Sequence, residues 1–300
     1  MMSASDDACL YYGETICVAT VKSTGRPCTK KAYYVGPTAK EGLCGIHSKD
    51  KKALAKNPRA WAIAREAAGQ LEASITEATA SNVAAGRPGR LILSKMHMMR
   101  KPEDRQGFTK VFPNYDHGKR KDGIGLPSLS PKSIGPISHQ QPHLPMAANL
   151  ENLHQGNKCF YSETVAEDGL PAPIFYERQR AMYTDKHAWR HKHMKFPELK
   201  QDSKAPEYSV WTDPDGTEHY LSYFDSRQIY CTIYEMAVKN MPDFILLQRL
   251  LKDGHNLQIC GFDAYEVVEK SNWADIAYRD TSRPFGHELV LYCMLRGQRP

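Results

Sequence analysis

Pro242-Asp243-Phe244-Ile245-Leu246-Leu247-Gln248-Arg249-Leu250-Leu251-Lys252-Asp253-Gly254, followed by Asn256-Leu257-Gln258-Ile259-Cys260-Gly261, is the stretch on which the fold assignment turns. Phe244, Leu247, Leu250 and Leu251 recur at three- and four-residue steps, the period of a helix with one apolar face. Proline opens this helix, and Gly254 is the residue expected at a left-handed stop. The apolar run after it has the length and composition of a buried strand. Helix, glycine and strand in that order make half of an α/β unit, so the chain is assigned to the α+β (mixed α/β) class.

Working outward, Phe285 to Leu295 predicts a closing helix with Gly297 at its end. Ser226 to Tyr234 predicts a second strand, running into a helix around Met236–Lys239. Residues 156–300, crowded with aromatics, form the C-terminal α/β domain, and a fragment from about residue 150 is expected to fold without the first 48 residues. Ahead of it, residues 87–155 lose any period and carry prolines at 113, 127, 131, 136, 142 and 145. Leu91, Ile92, Met96, Phe108, Val111 and Phe112 are too apolar for a solvated tether, so this segment is expected to be a basic, proline-rich extended arm laid along a core. Within residues 51–86, Asn57-Pro58 predicts a helix start, and the helix runs to about Ala80. Its stripe of Trp61, Ala64, Ala68, Leu71, Ile75 and Ala78 is narrow and mostly small, which predicts close packing on another element.

Residues 1–50 hold Cys17, Cys28, Cys44 and His47, spaced C-x10-C-x15-C-x2-H. Three thiolates and an imidazole are a ligand set for structural zinc, which favours a closed tetrahedral shell. The C-x2-H step suits a tight knuckle, and the longer gaps leave room for a small hairpin. Aliphatic side chains between residues 9 and 47 are too few for a core without such a staple. Met1 to Leu10 carries Asp6 and Asp7 and no apolar run, so a reducing interior, favouring metal over disulfides, is expected.

The chain has 300 residues, 41% of them hydrophobic, and no stretch of 18 apolar residues, so no membrane partner is expected. Its net charge of +6 is concentrated. Ten Lys or Arg lie between Arg87 and Lys121, against Glu103, Asp104, Asp116 and Asp122, a local excess of six. Arg100, Lys101, Lys119, Arg120 and Lys121 are therefore candidate nucleic-acid contacts, as lysine and arginine displace counterions from phosphate. A solvated face is the alternative for such a run.

Ligands in open α/β sheets gather at the carboxyl ends of strands. Asp263 follows the strand ending at Gly261, His287 and Glu288 begin the last helix, and Arg227 precedes the other strand candidate. Together they would supply an acid, a base and an anion clamp. Each also has a plainer role: Asp263 capping a turn, Glu288 answering the helix dipole, Arg227 pairing with Asp225 or Glu235. Cys231 and Cys260 suit small buried hydrophobes. Trp189-Arg190-His191-Lys192-His193, with His187 beside it, suits either a metal pair or a phosphate-contacting basic surface. No GxGxxG, P-loop, HExxH or GxSxG motif occurs.

The run Cys17…Gly25-Arg26-Pro27-Cys28…Cys44-Gly45-Ile46-His47 resembles the Cys3His modules of chromatin-associated and large-DNA-virus proteins. Leu129-Ser130-Pro131…Gly135-Pro136, Asn149-Leu150-Glu151-Asn152-Leu153-His154-Gln155 and Asn256–Asp263 resemble uncharacterised proteins of large DNA viruses. The resemblance implies a viral or virus-derived origin, and with the reducing interior expected above the location is expected to be intracellular, in the cytoplasm or nucleus of a host cell, or in the virion. It implies no activity. The chain is thus expected to be a zinc-binding protein acting on or beside nucleic acid. The alternatives are an enzyme acting on a nucleotide-like substrate in the C-terminal domain, or a virion or protein-interaction component.

Overall fold

The computed structural model describes residues 11, 13–36, 41–49, 52, 54, 57–97, 100–189, 206–265 and 273–298. The chain divides into two compact units, Met1–Glu72 and Ala73–Pro300. In the first, β1 (Tyr34–Val35) pairs antiparallel with β2 (Gly42–Leu43), and bridges from Ile16 to Lys31 and from Thr20 to Pro27 fold the preceding residues into a second narrow ribbon. Helix α1 (Pro58–Ala84) runs across the division. Asn57 caps it as expected, Oδ1 accepting from the Arg59 and Ala60 amides at 2.9 and 3.4 Å.

The second unit contains, in chain order, β3 (Leu91–Lys95), β4 (Thr109–Phe112), β5 (Ile124–Gly125), α2 (Leu150–Gly156), β6 (Lys158–Cys159), α3 (Pro173–Thr184), β7 (Tyr208–Thr212), β8 (Glu218–Leu221), α4 (Tyr223–Val238), α5 (Pro242–Lys252), β9 (Leu257–Gly261), α6 (Trp273–Arg279) and α7 (His287–Leu295). Its main sheet runs β3-β9-β4-β5 with every pairing parallel, and a smaller antiparallel sheet runs β6-β7-β8. All five residues of β9 are buried, as a central strand covered on both faces requires. Gly254 ends the α5 turn with φ +88°, the left-handed value that favours glycine. Phe244, Leu247 and Leu251 of α5 are buried, each worth about 1.5–3 kcal/mol of transfer free energy. Helix α7 buries Leu289 through Cys293 without interruption, so it is apolar on all sides and lies inside the core.

Three expectations are corrected. Ser226–Tyr234 is not a strand but the interior of α4. Ser222 and Asp225 form a capping box that starts a helix, and Arg227, Tyr230, Cys231, Tyr234 and Val238 then form its buried stripe. Helix α1 packs only the second half of its stripe: residues 61–70 are exposed, Trp61 at 56%, whereas Leu71, Ile75 and Ala78 are half-buried and Asn82 is buried. Residues 87–155 do more than lie along a core, for they supply β3, β4, β5 and α2. Both neighbours of β9 come from that segment, so the core is not self-contained from residue 150 onward. Strand β4 is largely buried and lacks the alternation that marks a half-exposed strand, and β5, two residues long, is too short to show any period.

Candidate functional site

Folding of the N-terminal ribbon and the Cys44–His47 knuckle brings the four expected ligands together. The Sγ atoms of Cys17, Cys28 and Cys44 and one ring nitrogen of His47 all lie within 4.8 Å of one another, and the three cysteines are buried. His47 Nδ1 is 3.4 Å from both Cys17 Sγ and Cys44 Sγ, and Cys28 Sγ is 4.0 Å from Cys44 Sγ. Bond lengths of about 2.3 Å to sulfur and about 2.0–2.1 Å to nitrogen give a tetrahedron with edges of about 3.8 Å (S–S) and about 3.5 Å (S–N). These three separations match that shell, the other pairs lie within 4.8 Å, and the cysteines are free rather than joined at the roughly 2.05 Å of a disulfide. Burial raises the Cys44 thiol, but the His47 and Ile46 amides aimed at its sulfur outweigh this and bring it down to about 7. The Lys30 amide lowers Cys28, yet burial and the two neighbouring thiols leave it raised, so the thiolates do not all form easily without a cation. The residues present fit a metal ion.

The second unit has a cleft of about 160 Å³ beyond the carboxyl end of β9. Asp263, His287 and Arg227 all line it. Glu288 stands behind the wall, its Oε1 accepting the Asp263 amide at 3.2 Å. Arg227 pairs neither with Asp225, which caps α4, nor with any other acid among the described residues. Its guanidinium donates to the carbonyls of Tyr278, Asp280 (3.1 Å) and Arg283 (2.7 Å), between the rings of Tyr223 and Phe285. This fixes a buried cation, 3% exposed, whose Nε has no partner among the described residues.

Several lining residues escaped the sequence analysis as site candidates, among them Glu151 and His154 on α2, Lys158 at the start of β6, and Tyr223 and Tyr230 on α4. The spacing E-x2-H places Glu151 and His154 on one helix face, a signal masked in sequence by the prolines that make residues 87–155 resemble an extended arm. Burial pushes His154 well below its usual value, so it stands as a neutral ring stacked obliquely on Tyr230 at 4.8 Å. Burial also lowers Lys158 to about 8, although Glu151 and Asp263 work in the opposite direction. Asp263 is raised, first by desolvation and then by Glu288, with His287 opposing; its residue surface remains open at the cleft mouth. A carboxyl group shifted up and an amine shifted down in one cleft are groups poised for proton transfer.

The basic candidates are less free than their sequence suggests. Arg120 makes a two-pronged pair with Asp122 at 2.8 and 2.7 Å and stacks on Phe112 at 3.9 Å. Lys101 is 2.9 Å from Asp104, while Arg100, Lys119 and Lys121 are exposed. Asp104 and Asp122 also face the buried Lys110. Cys231 and Cys260 are buried, and burial pushes both thiols up, Cys260 to about 12. Trp189 is buried and His187 exposed, whereas residues 190–193 of that cluster lie outside the described residues. No helix among the described residues is long and apolar enough to cross a membrane. No family model, curated protein or solved structure matches the chain.

Proposed function

We propose that the second unit is an enzyme acting on a nucleotide-like substrate in the cleft beyond β9, and that the first unit is a structural zinc module. The observation that carries the enzymatic proposal is the convergence of Glu151, Asp263, Lys158 and Arg227 in one aromatic-walled cleft. Tyr223, Tyr230 and Phe285 offer surfaces on which a planar base can stack. Arg227, fixed on three carbonyls and lacking an acidic partner among the described residues, suits a phosphate. Two carboxylates on separate elements suit hydrolysis of a glycosidic bond. Asp263, its proton affinity raised, protonates the leaving group, and Glu151 takes a proton from the attacking water.

The test is incubation of nucleosides and nucleotides with the protein, with chromatography for released base. Asp263→Asn and Glu151→Gln should each lower turnover by about a hundredfold or more. Absence of any nucleotide from the cleft in soaked crystals, together with no release, would overturn the proposal.

Three thiols and an imidazole at tetrahedral separations support zinc over metals that prefer oxygen ligands. The nucleic-acid role rests on exposed Arg100, Lys119 and Lys121, since Arg120 and Lys101 already have acidic partners. Its test is the salt dependence of DNA and RNA binding: neutralising Lys119 and Lys121 should flatten the slope by about two units for duplex DNA. A viral origin, resting on the sequence resemblance, accommodates both units.

A further inference from the structure

Glu288 is an acid with 1% side-chain exposure and no Lys or Arg ion-pair partner among the described residues. Its place is made by two glycines. A Cβ at Gly261 would stand 2.0 Å from Glu288 Oε1, and a Cβ at Gly286 would stand 2.6 Å from Oε2. Neither glycine has positive φ, so space rather than backbone conformation requires them. The carboxylate is thereby pressed against the end of β9, where it accepts the Asp263 amide.

His287 completes the arrangement. Its Nε2 lies 2.8 Å from the carbonyl oxygen of Pro113, an atom that can only accept a hydrogen bond. Its Nδ1 lies 3.0 Å from Glu288 Oε2, within ion-pair range of a protonated ring though bent away from the line of an ideal hydrogen bond. With a neutral ring, a carboxylate of 1% side-chain exposure would be left with no cation at ion-pair distance among the described residues, the costly state for a buried charge. The arrangement therefore favours protons on both ring nitrogens. The groups facing this ring are Glu288 on its own helix, Asp263 beyond β9, Glu151 from α2 and the Tyr234 ring of α4 at 6.1 Å. The carboxylates all favour a cation. Burial alone would lower His287, yet Glu288 more than offsets it and raises His287 above its ordinary value; Glu288, despite its burial, is held down to about 2.

We propose that His287 stands as an imidazolium in the cleft wall, and that the His287–Glu288 pair, seated against Gly261 and Gly286, is the positioning device that holds Asp263 for chemistry. The positioning role rests on the enzymatic proposal above, whereas the charge state stands without it. Glu288 fixes the Asp263 backbone, and His287 keeps a buried carboxylate from driving Asp263 further toward its neutral form. A neutral His287 would leave Glu288 without a cation at ion-pair distance among the described residues, beside an Asp263 that only Lys95 and Lys158 would then offset.

The experiment is nitrogen NMR of the full-length protein labelled at histidine, at pH about 8, well above the ordinary histidine value of about 6.5. His287 should show two protonated ring nitrogens. In Glu288→Gln, whose amide can donate to Nδ1, the ring should revert to a neutral tautomer with the proton on Nε2. Hydrogen exchange at the Asp263 amide should quicken about tenfold in Glu288→Ala. Should Glu288→Ala fail to fold, Glu288→Gln still decides the charge state. A singly protonated His287 in the unsubstituted protein, or an imidazolium that persists unchanged in Glu288→Gln, overturns the proposal. Imidazolium behaviour in a protein that turns over no nucleotide would uphold the charge state while rejecting the enzyme.

Discussion

Asn82 and Asn256, 174 residues apart, are joined side chain to side chain at 3.0 Å. Asn82 also donates to the Gly254 carbonyl at 2.9 Å. Asn256 accepts the Arg90 amide at 2.7 Å and donates to the Gly107 carbonyl at 3.0 Å. One buried amide thus ties α1, the approach to β3, the turn before β4 and the start of β9. Asn256→Ala would strand several buried donors and acceptors, each costing about 1–3 kcal/mol. A loss of about 3 kcal/mol is expected in urea unfolding; a loss below about 1 kcal/mol would show that water takes over these groups.

Elemental analysis should find one zinc per chain, and Cys28→Ser or Cys44→Ser should abolish it. Metal affinity in such a module is folding free energy, so chelation should melt the first unit. The second unit carries its own core, and circular dichroism should show its helices surviving.

A fragment beginning at residue 150 should not fold. It would keep β9 while losing β3 and β4, the strands on either side of it. A fragment from residue 57, which retains α1 and the whole sheet, should give a cooperative transition. Folding of the shorter piece would contradict the sheet order.

The pH dependence of stability follows from the His287–Glu288 pair. Glu288 is depressed to about 2, so its contribution is complete above the ordinary value near 4.5 and is lost as pH falls toward 2. His287 is raised, so its contribution is complete below about 6.5 and is lost as pH climbs through its folded value. The pair therefore contributes most between about pH 4.5 and 6.5. Chemical denaturation across pH should show that plateau shrink in Glu288→Gln; an unchanged profile would remove the pair from the account.

Lys158, brought down to about 8, holds on the order of three hundredfold more neutral amine near pH 7 than a lysine at its ordinary value. Competitive acetylation at that pH should modify it ahead of exposed Lys119 and Lys121. Equal labelling would mean that the cleft leaves its ammonium solvated.

Where local chemistry specifies structure, the sequence was legible. Asn57-Pro58, Gly254 and the C-x2-H knuckle each encode a local geometry, and each occurs as expected. Asp263 and His287 reach one cleft because a strand end and a helix start converge there, whereas Arg227 enters it from the second turn of α4 and not from the strand start that suggested it. Ser226–Tyr234 was misassigned because its aromatic and β-branched residues suggest a strand, while the cap that starts the helix lies earlier, at Ser222. Glu151 and Lys158 were missed because their relevance depends on α2 packing near a strand end more than a hundred residues later. Arg120 and Lys101 show the reverse: charge counted along a chain does not reveal that Asp122 and Asp104 already face it.

The sheet order has a consequence for biosynthesis. Strands β3 and β4 leave the ribosome well before β9, which must insert between them with its register running from Leu91↔Leu257 to Lys95↔Gly261. Until about residue 261 is made, both strands present unpaired edges and apolar faces, the condition under which nascent chains associate wrongly. Closure across so long a loop is slow compared with helix formation, so α5, emerging immediately before β9, is placed to form first and deliver it. Strand β9 thus works as the keystone of β3 and β4, and a ribosome stalled before Leu257 would release a second unit lacking its central strand.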